Sequence, residues 1–152
     1  MIIGRYTNAV DVKGRVFVPA KWRSDLGDVI IVMRGFCENP DERYLKAMSV
    51  AKFYELAEEL ESLPPTDLRY LDAAREMFQF ATQCEIDKQG RILIAQHLLD
   101  YAGIGDTATL AASVKSFELW NPESLEAKNS SYSRKKLAED CQSLASRGGA
   151  KA

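Results

Sequence analysis

Hydrophobic and polar positions follow two periods along this chain, one suited to strands and one to helices. From residue 15 to 19 they alternate: Arg15, Phe17 and Pro19 fall on one side, Val16 and Val18 on the other. The alternation returns at 91–94, with Arg91 and Leu93 against Ile92 and Ile94. Period two predicts short strands with one buried face. A further short strand precedes each, Tyr6 to Val10 and Gln83 to Ile86. Val29 to Met33 is a continuous apolar strand, and Thr107 to Ala112 is its weaker counterpart.

Elsewhere the period is that of a helix. Val50, Phe53, Ala57 and Leu60 form one apolar stripe, Ser49 is the expected N-cap, and Glu55, Glu58, Glu59 and Glu61 form the solvated face. Leu63-Pro64-Pro65 ends that helix. Thr66 or Asp67 caps a second one, with Leu68, Leu71, Arg75 and Phe78 on its packed side. Asn121-Pro122-Glu123 is another start signal: a cap, a proline at the first position and an acid at the positive end of the dipole. The helix it opens runs toward Leu144, with Asn129 to Ser133 as a point of interruption, and is expected to pack on its own chain.

The strand pattern is duplicated. Asp11-Val12-Lys13-Gly14-Arg15-Val16-Phe17-Val18 recurs 76 residues later as Asp87-Lys88-Gln89-Gly90-Arg91-Ile92-Leu93-Ile94. Val10 matches Ile86, Trp22 matches Leu98, Leu26 matches Ala102 and Gly27 matches Gly103. Asp11, Gly14, Asp87 and Gly90 are turn-forming. An Asp carboxylate takes backbone N–H groups, and Gly accepts the left-handed conformation that follows a type I turn. One short helix follows each hairpin: Pro19-Ala20 opens the first and Gly27 closes it, and Gln96 to Ala102 forms the second. The expected division is a first unit at 1–48, a helical connection at 49–82, a second unit at 83–120, a helical segment at 121–145 and a flexible tail at 146–152.

Composition narrows the function. The chain has 152 residues, a net charge of −2 and a pI of about 5.5. No apolar run reaches the roughly 20 residues of a membrane helix, and Met1-Ile2-Ile3-Gly4-Arg5 is no signal-peptide core. These features predict a cytoplasmic protein without a membrane partner. Cys37, Cys84 and Cys141 form no CxxC pair and His97 is the sole histidine, so no metal is expected. Cys84 with His97 is formally a nucleophile pair; a buried thiol and a surface histidine is the plainer reading. With no P-loop and no GxSxG, the chain is expected to be no enzyme, with no cofactor and no small-molecule substrate. The acidic pI speaks against a globally basic nucleic-acid binder, but charge is uneven. Residues 1–35 hold six cations and three acids (+3), residues 36–82 five and ten (−5), and residues 83–152 nine and nine (0).

The duplicated Asp-x-x-Gly-Arg hairpin, with Pro19-Ala20-Lys21-Trp22-Arg23 after the first copy, Arg34-Gly35 after the third strand and Phe117-Glu118-Leu119-Trp120 near the end, resembles the MraZ family. The resemblance covers roughly residues 1–145. It implies an α+β fold: an interlaced swapped-hairpin β-barrel built from two AbrB-like repeats, with flanking α-helices. It also implies a transcriptional regulator, cytoplasmic and nucleoid-associated. Such a protein binds double-stranded DNA with direct repeats, upstream of the bacterial division and cell-wall gene cluster, as a homo-oligomer ring. The chain departs from the family pattern at Ala95 and Leu99, where the second copy usually carries Pro and Arg, and its segment Phe36 to Ala47 is long and charged.

A two-stranded ribbon fits the major groove of DNA. Arg15 is the candidate for a forked contact to guanine O6 and N7, and Lys13 for phosphate. In the second copy Lys88, Gln89 and Arg91 occupy the matching places, and Lys21 and Arg23 stand on the first short helix. Arg15 and Arg91 have a second reading, as partners of Asp11 and Asp87 across their own turns. Two other functions stay open: an antitoxin-like partner-binding protein, and a purely structural ring.

Overall fold

The computed structural model describes the backbone of residues 1–151 and the side chains of residues 1–147. In chain order the elements are β1 (Arg5–Ala9), β2 (Arg15–Phe17), α1 (Arg23–Leu26), β3 (Val29–Arg34), β4 (Leu45–Ser49), α2 (Val50–Glu61), α3 (Leu71–Phe80), β5 (Thr82–Glu85), β6 (Arg91–Leu93), α4 (Gln96–Ala102), β7 (Thr107–Ser113), β8 (Ser116–Trp120), α5 (Pro122–Ser131) and α6 (Arg134–Lys151). The fold is mixed α+β. Six strands form one antiparallel sheet in the order β1-β7-β8-β4-β3-β5, and β2 pairs with β6 as a separate antiparallel ribbon.

That order carries the duplication. Exchange the copies, so that β1 trades places with β5, β3 with β7 and β4 with β8, and the sheet reads the same backwards. Neither unit closes on itself: β1 pairs with β7 of the second copy, β5 with β3 of the first, and β2 with β6. The large sheet is not closed, which corrects the expected barrel. β4 comes from the charged stretch before α2, where Lys46 interrupts the apolar run and hides the strand in the sequence.

The core lies between ribbon and sheet. Val16, Val18, Ile92 and Ile94 form the ribbon's inner face and are almost fully buried against Ile30, Val32, Leu110, Phe117 and Leu119. Trp22 fills the space beside them, edge-on to Tyr6 and tilted against Phe117, and its Nε1 donates to the Ile3 carbonyl at 2.9 Å. A second cluster covers the outer face of the sheet, where Ile31, Met33 and Met48 meet Val50, Phe53, Leu56 and Leu60 of α2 and Met77 of α3. Ser49 caps α2 by accepting from the Lys52 N–H, as its position predicts.

Two helical expectations are corrected. α3 buries Met77, whereas Leu71 and Phe78 on the stripe read as its packed side, and Leu68 just before the helix, are exposed, Phe78 keeping an edge contact with Phe53 of α2 at 5.2 Å between ring centres. The chain must return to β5 beside β3, and that connection decides which side of α3 turns inward. The last helix does break near Asn129–Ser133, but α6 does not pack on its own chain: of residues 134–147 every side chain except Asp140 is exposed. The reason lies in the sheet. β3 offers Ile31 and Met33 on its outer face, whereas β7 offers Thr107, Thr109 and Ala111. α6 also continues through residues 146–151, expected as a loose tail; residue 152 lies outside the described residues.

Candidate nucleic-acid interface

The two turns repeat atom for atom. In the first, Gly14 N donates to the Asp11 carbonyl at 2.9 Å and Asp11 N to the Arg15 carbonyl at 3.0 Å; in the second, Gly90 and Asp87 make the equivalent bonds at 2.9 Å. Asp11 Oδ1 accepts from the Lys13 and Arg15 N–H groups, and Asp87 Oδ1 from those of Gln89 and Arg91. Gly14 and Gly90 sit at φ +92° and +86°, where an L side chain is strained. They are also crowded. A Cβ on Gly14 would stand 2.7 Å from the Ile94 carbonyl oxygen, and one on Gly90 would overlap the Arg23 guanidinium.

These turns lie at opposite ends of the ribbon. Ile94 N, at the end of β6, donates to the Gly14 carbonyl, and Val18 N, at the end of β2, to the Gly90 carbonyl, both at 2.9 Å. Between them the ribbon's outer face carries Arg15 opposite Leu93 and Phe17 opposite Arg91. Diagonal partners in such a register lie about 7–8 Å apart, so both arginines stand on one small surface. Phe17 is 48 % and Leu93 56 % exposed, an apolar element of the same face.

The structure shows the second reading of the arginines, as partners of the aspartates of their own turns. Arg15 Nε donates to Asp11 Oδ2 at 2.6 Å, and Arg91 Nε to Asp87 Oδ2 at 3.0 Å. In each case Nε is the only guanidinium nitrogen with a hydrogen-bond partner among the described residues; the Arg91 guanidinium also lies over the Phe17 ring, its Cζ 6.0 Å from the ring centre, and the Arg15 and Arg91 side chains are 33 % and 21 % exposed. The carboxylate therefore orients the guanidinium without using up its donors. The Arg15 N–H bond, reinforced by the Arg15 side chain and the Lys13 N–H, lowers the Asp11 pKa to about 2. Asp87 is lowered by the same set of bonds, that from the Arg91 N–H being largest. Both acids are ionised at neutral pH, so each aspartate–arginine pair carries no net formal charge.

The remaining candidates separate. Lys13, Lys88, Gln89 and Lys21 are exposed, the first three at the turn tips and Lys21 on the helical turn after β2. Arg23 is not free in this way: its Nε and Nη2 donate to the Val18 carbonyl at 3.3 and 3.0 Å, beneath Gly90. Its counterpart Leu99 lies under Gly14 instead. Thus Arg23 and Leu99 each lie against the glycine of the opposite turn, Arg23 while bonded to Val18 of its own copy and Leu99 through an apolar contact. The repeat offset aligns these positions, but only the fold shows that they lie beneath a glycine.

Arg34 belongs to another neighbourhood. Its Cζ lies 3.5 Å from the centre of the Phe80 ring and 4.4 Å from that of Tyr101, and Nη1 bonds Glu76 at 3.0 Å. This stack ties β3 to α3 and α4, and sequence spacing gives no sign of it. Cys84 is buried, and its Sγ donates to the Leu93 carbonyl at 3.4 Å. Burial pushes its pKa up, the reverse of what activates a thiolate. Among the described residues no group of three or more His, Cys, Asp or Glu is placed to hold a metal, and no helix is long and apolar enough to cross a membrane.

Fold and face together define an internally duplicated hairpin-and-helix protein with a cationic two-stranded ribbon on its surface. Comparison with known proteins gives that class its name. A family model described as "MraZ protein, putative antitoxin-like" matches residues 77–147. Relatives called transcriptional regulator MraZ align over most of the chain. That of Roseiflexus castenholzii is 34 % identical over 145 residues, 91 % of this chain and 98 % of the relative. That of Caldicellulosiruptor bescii is 34 % identical over 146 residues, 95 % and 99 % of the two chains, and that of Leuconostoc citreum 37 % over 123 residues, 81 % and 82 %. The chain belongs to the MraZ family.

Proposed function

We propose that this protein is a sequence-specific DNA-binding transcriptional regulator whose reading surface is the outer face of the β2–β6 ribbon. The observation that carries the proposal is the pair of oriented arginines on that face, each held through Nε by a turn aspartate. Guanidinium forks on this ribbon suit guanine edges in the major groove. Lys13 and Lys88 at the two tips suit the flanking phosphates, and Gln89 an adenine edge. Lys21 is a further phosphate contact, and Arg23 serves the face by bonding Val18 and packing beneath Gly90. The exchanged pairings of β1, β2, β5 and β6 support reading the two units, 1–48 and 83–120, as interlaced swapped hairpins, with 49–82 and 121–145 as helical appendages.

The relatives' name supports the regulatory reading, and the resemblance of the whole chain supports the finer one. In that reading a ring of copies sits on direct repeats upstream of the division and cell-wall gene cluster, in the nucleoid-bearing cytoplasm. A ring also answers the charge problem. One ribbon face presents few uncompensated cations, so a single copy binds weakly; several copies on tandem repeats bind in series at high effective concentration.

The test is fluorescence anisotropy on duplexes carrying one, two or four tandem boxes across a salt series. Three phosphates neutralised per copy, by Lys13, Lys88 and Lys21, give a slope of about −2.7 in log affinity against log salt for each engaged copy. The slope should steepen as boxes are added, and a single box should bind poorly. A slope independent of box number would overturn the avidity account.

A further inference from the structure

The outer face of the β2–β6 ribbon carries two apolar side chains that charge and packing leave without a task. Phe17 and Leu93 are both exposed, and neither belongs to a core cluster. They occupy the same place in the two copies, two residues after Arg15 and Arg91. Across the ribbon Arg15 stands opposite Leu93 and Phe17 opposite Arg91. The four side chains therefore form one patch, with the arginines on one diagonal and the apolar pair on the other. Exchanging the copies exchanges Arg15 with Arg91 and Phe17 with Leu93, so the patch has a local two-fold axis at the Val16–Ile92 pair.

From this patch we infer that Phe17 and Leu93 read thymine, by packing on the C5-methyl groups that thymines present in the major groove near the guanines taken by the arginines. The inference rests on the ribbon face being the DNA-reading surface, and it adds a second determinant of specificity to that face. Among the base edges of the major groove only thymine presents a methyl group, and apolar side chains are its partners. The spacing agrees. Two residues along a strand rise about 6.8 Å, close to two base-pair steps of about 3.4 Å each. An apolar side chain two residues from an arginine on guanine thus falls within about two base pairs of it. The duplex has local two-fold axes of its own, and aligning one with the axis of the patch sets Phe17 and Leu93 against opposite strands. The other use of an exposed apolar side chain on DNA is insertion between base pairs. Phe17 and Leu93 are only about half exposed, and the arginines beside them are tied back to Asp11 and Asp87, so the pair does not project as a wedge.

Base analogues test the inference, because they alter the DNA and leave the protein as it is. The probe is a tandem-box duplex enriched by the native chain from a random-sequence pool. Deoxyuridine replaces each thymine in turn and removes only the methyl group. Loss of one buried methyl should weaken binding of the native chain about fourfold, at two thymines per box, one on each strand. Phe17→Ala should bind the thymine and uracil duplexes alike at one of these positions and Leu93→Ala at the other. Each variant should keep the penalty at the position it does not touch, and each should keep the native circular dichroism spectrum, since both residues are exposed. 7-Deazaguanine, which lacks the N7 acceptor, reports the arginines separately and should cost the native chain and both variants equally. A 7-deazaguanine penalty without a uracil penalty, or a uracil penalty that survives both substitutions, would overturn the methyl reading alone. No penalty from either analogue would overturn the ribbon as the reading surface, and the methyl reading with it. DNA that bends on binding but is indifferent to uracil would make Phe17 and Leu93 wedges, which also overturns the inference.

Discussion

Asp11 and Gly14 set the geometry that Arg15 uses, and each residue has its own test. Asp11 has a folded-state pKa of about 2, below its ordinary 3.8. A depressed carboxylate stabilises the fold above the ordinary value, and that contribution is lost as pH falls from about 4 to about 2. NMR titration of the Asp11 carboxyl should therefore find a midpoint near 2. Arg15→Ala should raise it only part of the way to 3.8, because the backbone N–H of residue 15 remains its largest partner. The glycines should differ from each other. Gly14→Ala sets a methyl against a strand carbonyl and should cost ~2 kcal/mol or more in urea unfolding, while at Gly90 the flexible Arg23 guanidinium can yield and the loss should be smaller. The aspartate and glycine roles were legible in the sequence because turn chemistry is local. The packing of Arg23 beneath Gly90 was not, since it joins residues that only the crossed pairing of the copies brings together.

At the scale of elements, the periodic signals located the helices better than they oriented them. The α2 stripe and its Ser49 cap follow directly from spacing and N–H bookkeeping; Ser49→Ala should lower stability by about 1 kcal/mol. α3 carries apolar residues on two sides, and the sequence does not rank them. Met77 alone is fully buried there, so Met77→Ala should cost ~2–5 kcal/mol, whereas Phe78→Ala, at an exposed position that keeps one edge contact with Phe53, should cost less. The urea midpoints of these three variants, compared with native, check that ordering. α6 illustrates the same limit: its moderately apolar stripe was legible, but whether any surface awaited it depended on β7 presenting threonines where β3 presents isoleucine and methionine.

For the whole molecule, the informative quantity is the distribution of charge and symmetry rather than the net −2. The repeat offset was visible in the sequence. Its consequence, a sheet order unchanged by exchanging copies and a ribbon shared between them, required the pairing. That sharing puts Arg15 and Arg91, 76 residues apart, on one face, and recognition of DNA by this face is the central claim. It is tested most directly by the ratio of affinities for a tandem-repeat duplex and a scrambled duplex of equal length, for the native chain, Arg15→Ala and Lys13→Ala. Arg15→Ala should lose ~1–3 kcal/mol of discrimination per box while still binding scrambled DNA, and Lys13→Ala should weaken both duplexes alike. An Arg15→Ala ratio equal to native would contradict the assignment of the ribbon face as the reading surface.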